Sequence, residues 1–323
     1  DLHSFPTRRS SDLDVKILFV THPDPNQQGD LLEVGILHGL RSLLGQDCID
    51  IPRKKVMYHD WSDTPKESLH GRGFSLYTEP IMDVDRDIID KVDYVLYGNI
   101  NIEPNEKINS LAKKAIYFLD GHDLYGNAPR IIEYGSERVI GLQVLPCFKR
   151  ELVEDNEHAH PIGFGIPEYQ IRPIDFGKKT QTYQKTAPDD SLFRNVTDLG
   201  GGRHHHKFTV EDEYYDDLSS SWFGLTCRKG GWDCLRHYEI MAAGSLLLFK
   251  DYDKKPPMCS PVDLPCFSYS TQEELDELIC RLVVDNKPTR EYNEMLNRQR
   301  EWLISNGTTI SRAKQILGVF EDE

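Results

Sequence analysis

Residues 221–250 read SWFGLTCRKGGWDCLRHYEIMAAGSLLLFK, and the fold follows from the order of their apolar and glycine positions. An apolar strand opens the stretch, Gly230 and Gly231 make a turn, and residues 233–243 carry helical spacing closed by Gly244. The SLLLF run at 245–249 is short, apolar and strand-like. Strand, turn, helix and buried strand in that order are the repeating unit of a parallel α/β sheet.

The turn has a physical use. Gly230 and Gly231 allow close backbone approach, and the helix that follows offers unpaired N–H groups and partial positive charge to a diphosphate. Arg228 and Lys229 add full charge beside it. A plain tight turn with Asp233 as helix N-cap fits the same residues. In the helix, Arg236 and Glu239 share a face, and Asp233 and His237 lie on an adjoining stripe. A carboxylate accepts from two sugar hydroxyls at once, so Glu239 suits a ribose clamp; an intrahelical pair with Arg236 is the alternative.

Working outward, VKILFV at 15–20 is a strand, a polar loop runs to Asp30, and residues 31–44 have helical spacing. Strands are expected at 94–97 after a charged helix at 83–91, at 115–119 after a helix at 107–114, and at 139–144 after a turn and helix at 127–135. Such alternation implies a parallel, doubly wound sheet whose ligands bind at the loops 21–30, 98–102 and 120–125. The Gly- and Pro-rich GFGIPEYQIRP at 163–173 reads as a crossing between two domains. Beyond it, 180–199 is polar and poorly periodic, and helices follow at 272–284, 290–305 and from Ser311.

The chain has 323 residues, enough for two domains, and its net charge of −15 disfavours a general nucleic-acid binder. No stretch approaches a membrane span, and seven scattered cysteines do not read as a disulfide framework, so a soluble cytoplasmic protein is expected. Residues 1–13, DLHSFPTRRSSDL, resemble the translation of a sequencing-library adapter and are set aside as non-native, with the native reading starting near Asp14. His204, His205 and His206 follow Arg203 in a Gly-rich loop; adjacent histidines alternate faces, and no metal site is assigned to them.

The YEIMAAG run at 238–244, followed by an apolar strand, resembles the LEAMAAG-like element of GT-B glycosyltransferases, in which the Glu binds the nucleotide ribose. The wider RKGGWDCLRHYEI string is similar to a branch related to CgeB-like, group 1 glycosyltransferases. The VKILFV, FLDGHD, FKRE and PIGFGIPE segments extend the likeness more loosely. The resemblance implies two Rossmann-like domains with a cleft between them: 14–165 on the acceptor side, 166–305 holding the nucleotide sugar, and 306–323 as a helix returning to the first domain. It implies a metal-independent sugar transfer with a nucleoside diphosphate sugar as donor substrate and no cofactor. Retaining members often carry an acid eight positions before the ribose Glu; Gly231 stands there, and Asp233 is the nearby substitute.

Transfer also needs a group to handle the acceptor proton. Asp120, His122 and Asp123 of DGHD follow a strand directly and are the catalytic candidates, unless they only cap the next helix. Asp24 and Asp30 come next. Lys149 and Arg150 precede the linker, where they face the diphosphate from the opposite wall or remain solvated surface charges. Two rival functions are a non-catalytic sugar-nucleotide or glycan binder and a phage-type DNA-base glucosyltransferase. The second needs a basic cleft, for which Arg53, Lys54 and Lys55 are the notable cluster.

Overall fold

The computed structural model describes residues 15–22, 31–61, 65–77, 79–87, 89, 91–123, 146–155, 157–185 and 208–322. Asp24, Asp30, the 127–135 and 139–144 elements and the histidines at 204–206 lie outside them. Among the described residues no helix is long and apolar enough to cross a membrane.

The first sheet comprises β1 (Ile17–Val20), β2 (Cys48–Ile51), β3 (Val92–Tyr97), β4 (Ala112–Asp120), β5 (Cys147–Lys149) and β6 (Ala159–Pro161). It is six-stranded and parallel, in the order β2-β1-β3-β4-β5-β6, so the winding reverses between β1 and β3. The second sheet holds β7 (Gln181–Tyr183), β8 (Ser221–Cys227), β9 (Leu246–Lys250) and β10 (Phe267–Tyr269), parallel and in sequence order. β8 is buried at every residue, which is why its apolar run shows no alternation.

Helix α1 (Leu31–Leu44) is buried almost all round, because the first sheet covers one side and α7 (Thr309–Glu321) the other. Gly39 makes that approach possible: a Cβ there would stand 2.6 Å from the Thr309 carbonyl carbon. The crossing at 163–173 is pinned to the turn before α7, with Ile166 accepting from Thr309 N at 2.9 Å and donating to Gly307 O at 3.1 Å.

Two helices expected from the sequence are absent or shorter. Residues 83–87 are irregular, because Arg86 is drawn to the Asp50 carbonyl and carboxylate at the end of β2 while Asp83 pairs with Arg53 and Arg86. A helix there would withdraw the cation from Asp50, which is fully buried. The 107–114 helix reduces to α2 (Glu106–Asn109), capped by Asn105, and β4 already starts at Ala112 with Lys113 and Lys114 in its exposed half. In the second domain α4 (Leu235–Ala242), α5 (Gln272–Leu282) and α6 (Arg290–Asn306) match the expected helices within a few residues, α3 (Glu211–Ser219) precedes β8, and β7 emerges from a segment with no visible pattern.

Candidate active site

The carboxyl end of β4 carries Asp120, which is 2% exposed. It accepts from Lys149 Nζ at 2.8 Å and lies 2.9 Å from His122 Nδ1. Burial alone would raise its carboxyl, but the hydrogen bonds from His122 and Lys149 and the Lys149 charge outweigh that and hold it well below the usual carboxylate range. Lys149 is therefore committed to Asp120 inside its own domain. His122 is part-exposed, and with Nδ1 turned to the carboxylate its Nε2 meets Asn101 Nδ2 at 3.0 Å, on the solvent side.

One step further, at the end of β5, Arg150 is 2% exposed and reaches across the junction. It donates to Gly121 O at 2.9 Å, to Asp233 O at 2.7 Å, and to the half-exposed Asp123. Its guanidinium lies over the Phe164 ring, 4.6 Å from the centroid. Glu151 follows, fully buried, with Oε1 accepting from Asp233 N at 3.2 Å. Burial pushes its carboxyl up against the opposing charge of Arg150.

These groups meet the glycine turn. A Cβ on Gly230 would lie 2.8 Å from Asp123 Cγ, and one on Gly231 2.7 Å from Glu151 Cδ. A side chain at either place would have to displace these carboxylates, so the pair serves close approach, but of the first domain's own acids. Asp233 is not the N-cap of α4; Cys234 is. Each Asp233 oxygen accepts a hydrogen bond from within the protein, from Phe164 N at 2.7 Å and Tyr238 OH at 2.8 Å.

On α4, His237 is fully buried between Thr226 Oγ1 and Trp232 O, each at 3.0 Å, and burial pushes it down to about 4. It is a buried, neutral support for the turn. Among the described residues no ion pair joins Arg236 to Glu239, and Arg236 Nη1 is buried without a hydrogen-bond partner. Glu239 instead accepts hydroxyls from both domains: Ser75 Oγ, in the loop after β2, and Tyr214 OH at 2.7 Å from α3. Ser75 adopts a left-handed φ of 69° to do so. Burial pushes the Glu239 carboxyl up; the two hydroxyl bonds and the Arg236 charge oppose it.

Arg228 and Lys229 are exposed, the Arg228 guanidinium lying 5.4 Å from the Trp232 ring centroid. Arg228 and Trp232 line a cavity of about 360 Å³ at the carboxyl ends of β8 and β9, together with Cys227, Lys250, Asp251 and Lys254. Lys229 is not part of its wall. The cavity sits where open α/β sheets bind ligands, and its cations and indole suit an anionic ligand with an aromatic part.

By sequence, no family model and no curated protein matches the chain. By structure, a glycosyltransferase from Rickettsia africae ESF-5 superimposes with a TM-score of 0.50 at 11% identity, covering 96% of this chain and 98% of that one. An α-glucosyltransferase in complex with UDP and a 13-mer DNA with a central A:G mismatch gives 0.51 at 10% identity, covering 95% and 99%. The fold is GT-B. Its two Rossmann-like domains are the two parallel sheets, and the DGHD, FKRE and RKGGWD segments meet where the GT-B domains adjoin.

Sequence reading thus picked out Asp120, His122, Asp123, Lys149, Arg150, Gly230, Gly231 and Asp233, which the structure brings together; it also offered His237 to the donor, and that side chain is buried within the protein. Glu151, Ser75 and Tyr214 were missed as site residues. A signal existed for Glu151, an acid directly beside Lys149 and Arg150 in FKRE. Ser75 had none, because its place depends on a loop from the other domain.

Proposed function

We propose that the protein is a glycosyltransferase that moves a sugar from a nucleoside diphosphate sugar to an acceptor. The observation that carries this is the cavity at the ends of β8 and β9, lined by Arg228, Trp232, Lys250 and Lys254, in a chain of GT-B fold. In this reading residues 166–305 bind the donor and 14–165 present the acceptor. Arg228 and Lys229 meet the diphosphate. Glu239 already accepts two hydroxyls, the chemistry that a ribose diol offers, and the nucleotide ribose takes the place of Ser75 and Tyr214 on it. His122 takes the acceptor proton at Nε2, held in one tautomer by Asp120, which is itself too acidic to serve as base. Asp123 is tied to Arg150. The RKGGWDCLRHYEI string supports the CgeB-like branch.

UDP is bound in the DNA-associated neighbour, which makes a UDP-sugar the first donor to try. A DNA acceptor is disfavoured here: Arg53 is paired with Asp60 and Asp83, Lys54 with Glu33, and the net charge is −15. The test is thermal melting of the purified chain with UDP-, GDP-, TDP- and CMP-sugars. A true donor at about 100 times its Kd stabilises by about 2.7 kcal/mol through mass action. A chain that no nucleotide sugar stabilises is not a donor-binding protein. Slow hydrolysis of the stabilising donor separates an enzyme from a non-catalytic binder.

A further inference from the structure

Glu151 belongs to the first domain by sequence but serves the second. It leaves β5 directly, is fully buried, and turns its carboxylate away from its own sheet onto the glycine turn. There Oε1 accepts the Asp233 N–H at 3.2 Å and touches Arg150 Nη1 at 3.3 Å, while Oε2 has no hydrogen-bond partner. The carboxylate fills the space that any side chain at position 231 would enter, with 2.7 Å between its carbon and a Cβ built there. Arg150 locks the arrangement by bonding the Asp233 carbonyl and the Asp123 carboxylate that covers Gly230. The Asp233 amide, which follows the glycine turn that the sequence offers to phosphate, is taken by the protein's own acid.

We propose that Glu151 is a positioning residue of the donor site: its carboxylate, reaching out of the first domain, packs on Gly231, holds the Asp233 amide and so fixes the arm that carries Arg228 and Lys229. This rests on the reading of that arm as the diphosphate contact. With the Asp233 amide taken, the diphosphate is met by the side-chain cations of the arm, with Lys250 and Lys254 across the cavity from Arg228, and donor affinity depends on where the turn holds Arg228. The fully buried Cys259 thiol is a neighbour of the same carboxylate, pushed up to about 12 by burial and by the Glu151 charge.

Four variants decide it, with UDP-glucose, GDP-mannose, TDP-glucose and CMP-sialic acid as probes in calorimetry and melting without ligand as the fold control. Glu151→Ala should weaken the best probe at least tenfold, whereas Glu151→Gln, whose amide oxygen still accepts from Asp233 N, should stay within about threefold of wild type. Gly231→Ala should lower the melting temperature through its clash with the carboxylate, and adding Glu151→Ala should restore it without restoring affinity. If the double variant regains wild-type affinity along with its melting temperature, Glu151 is packing alone and the proposal fails. It fails equally if Glu151→Ala binds as wild type does. A wild-type chain that binds none of the four probes overturns it together with the donor reading, whereas tight wild-type binding beside an unaffected Glu151→Ala overturns this proposal only.

Discussion

Asp120 and His122 are two residues apart and share one hydrogen bond, yet their environments give them opposite uses. Asp120 is buried and cationically paired; His122 stands half in solvent with its outer nitrogen turned to Asn101. A positioned base contributes about 10²- to 10⁴-fold, so His122→Ala should lower turnover by that order with donor affinity nearly unchanged in calorimetry. Asp120→Asn should behave differently, because it leaves the buried Lys149 ammonium short of its counter-charge. Removing one partner of such a pair destabilises by about 3–5 kcal/mol, so its melting temperature should fall as well as its turnover. Arg228, exposed beside Trp232, belongs to a different regime. Arg228→Ala should weaken donor binding more at 20 mM than at 300 mM salt, since exposed charges are screened within about 10 Å at 0.1 M. An equal loss at both salts would mean that its contact is not electrostatic.

At the scale of elements, α4 and the turn before it are held by a histidine that has to stay neutral. His237 in α4 and His38 in α1 are both pushed by burial from 6.5 to about 4. The unfolded chain takes up these protons first as pH falls, so stability is lost between about 6.5 and 4 and no further below that. Each shift is worth on the order of 3 kcal/mol at most. Melting temperatures should therefore fall steeply from pH 6.5 to pH 4, and His38→Gln, facing Thr309 Oγ1, should flatten the slope. A melting temperature independent of pH over that range would refute the neutral pair. The irregular 83–87 segment makes the same point about elements in reverse. Its three aspartates and a valine have low helix propensity, and the buried Asp50 draws Arg86 to the end of β2.

For the whole molecule, the last helix ties the first domain to the domain crossing and to α4. α7 lies on α1, and its first turn is bonded to the domain crossing through Ile166 and to α4 through Arg312, which reaches Tyr238 OH at 3.3 Å. One tight place governs this packing, the passage of Gly39 beneath Thr309. Gly39→Leu should force α7 off α1 and destabilise by about 1–3 kcal/mol or more, read as a lower melting temperature and faster proteolysis near residue 307. Unchanged melting would show that α7 is held by other contacts.

Sequence alone determined the class of fold and the segments that meet at the site. The alternation of short apolar runs with helical spacing leaves a parallel α/β sheet as the arrangement that buries both, and β1, α1, α4 and β9 fall where that pattern places them. Gly230 and Gly231 were legible as a place where the backbone could be closely approached, beside the reading of a plain tight turn. What approaches them was not legible, since Asp123 and Glu151 come from strand ends more than 75 residues away. The same holds for the roles within α4. Helical spacing puts Asp233, Arg236, His237 and Glu239 on neighbouring stripes, but which stripe faces a ligand and which faces protein is decided by what packs there. Phe164 and Tyr238 take Asp233, Thr226 and the Trp232 carbonyl take His237, and Ser75 and Tyr214 cover Glu239. Periodicity is a local property of the chain, whereas the satisfaction of a buried charge depends on partners that only the tertiary fold brings within hydrogen-bonding distance.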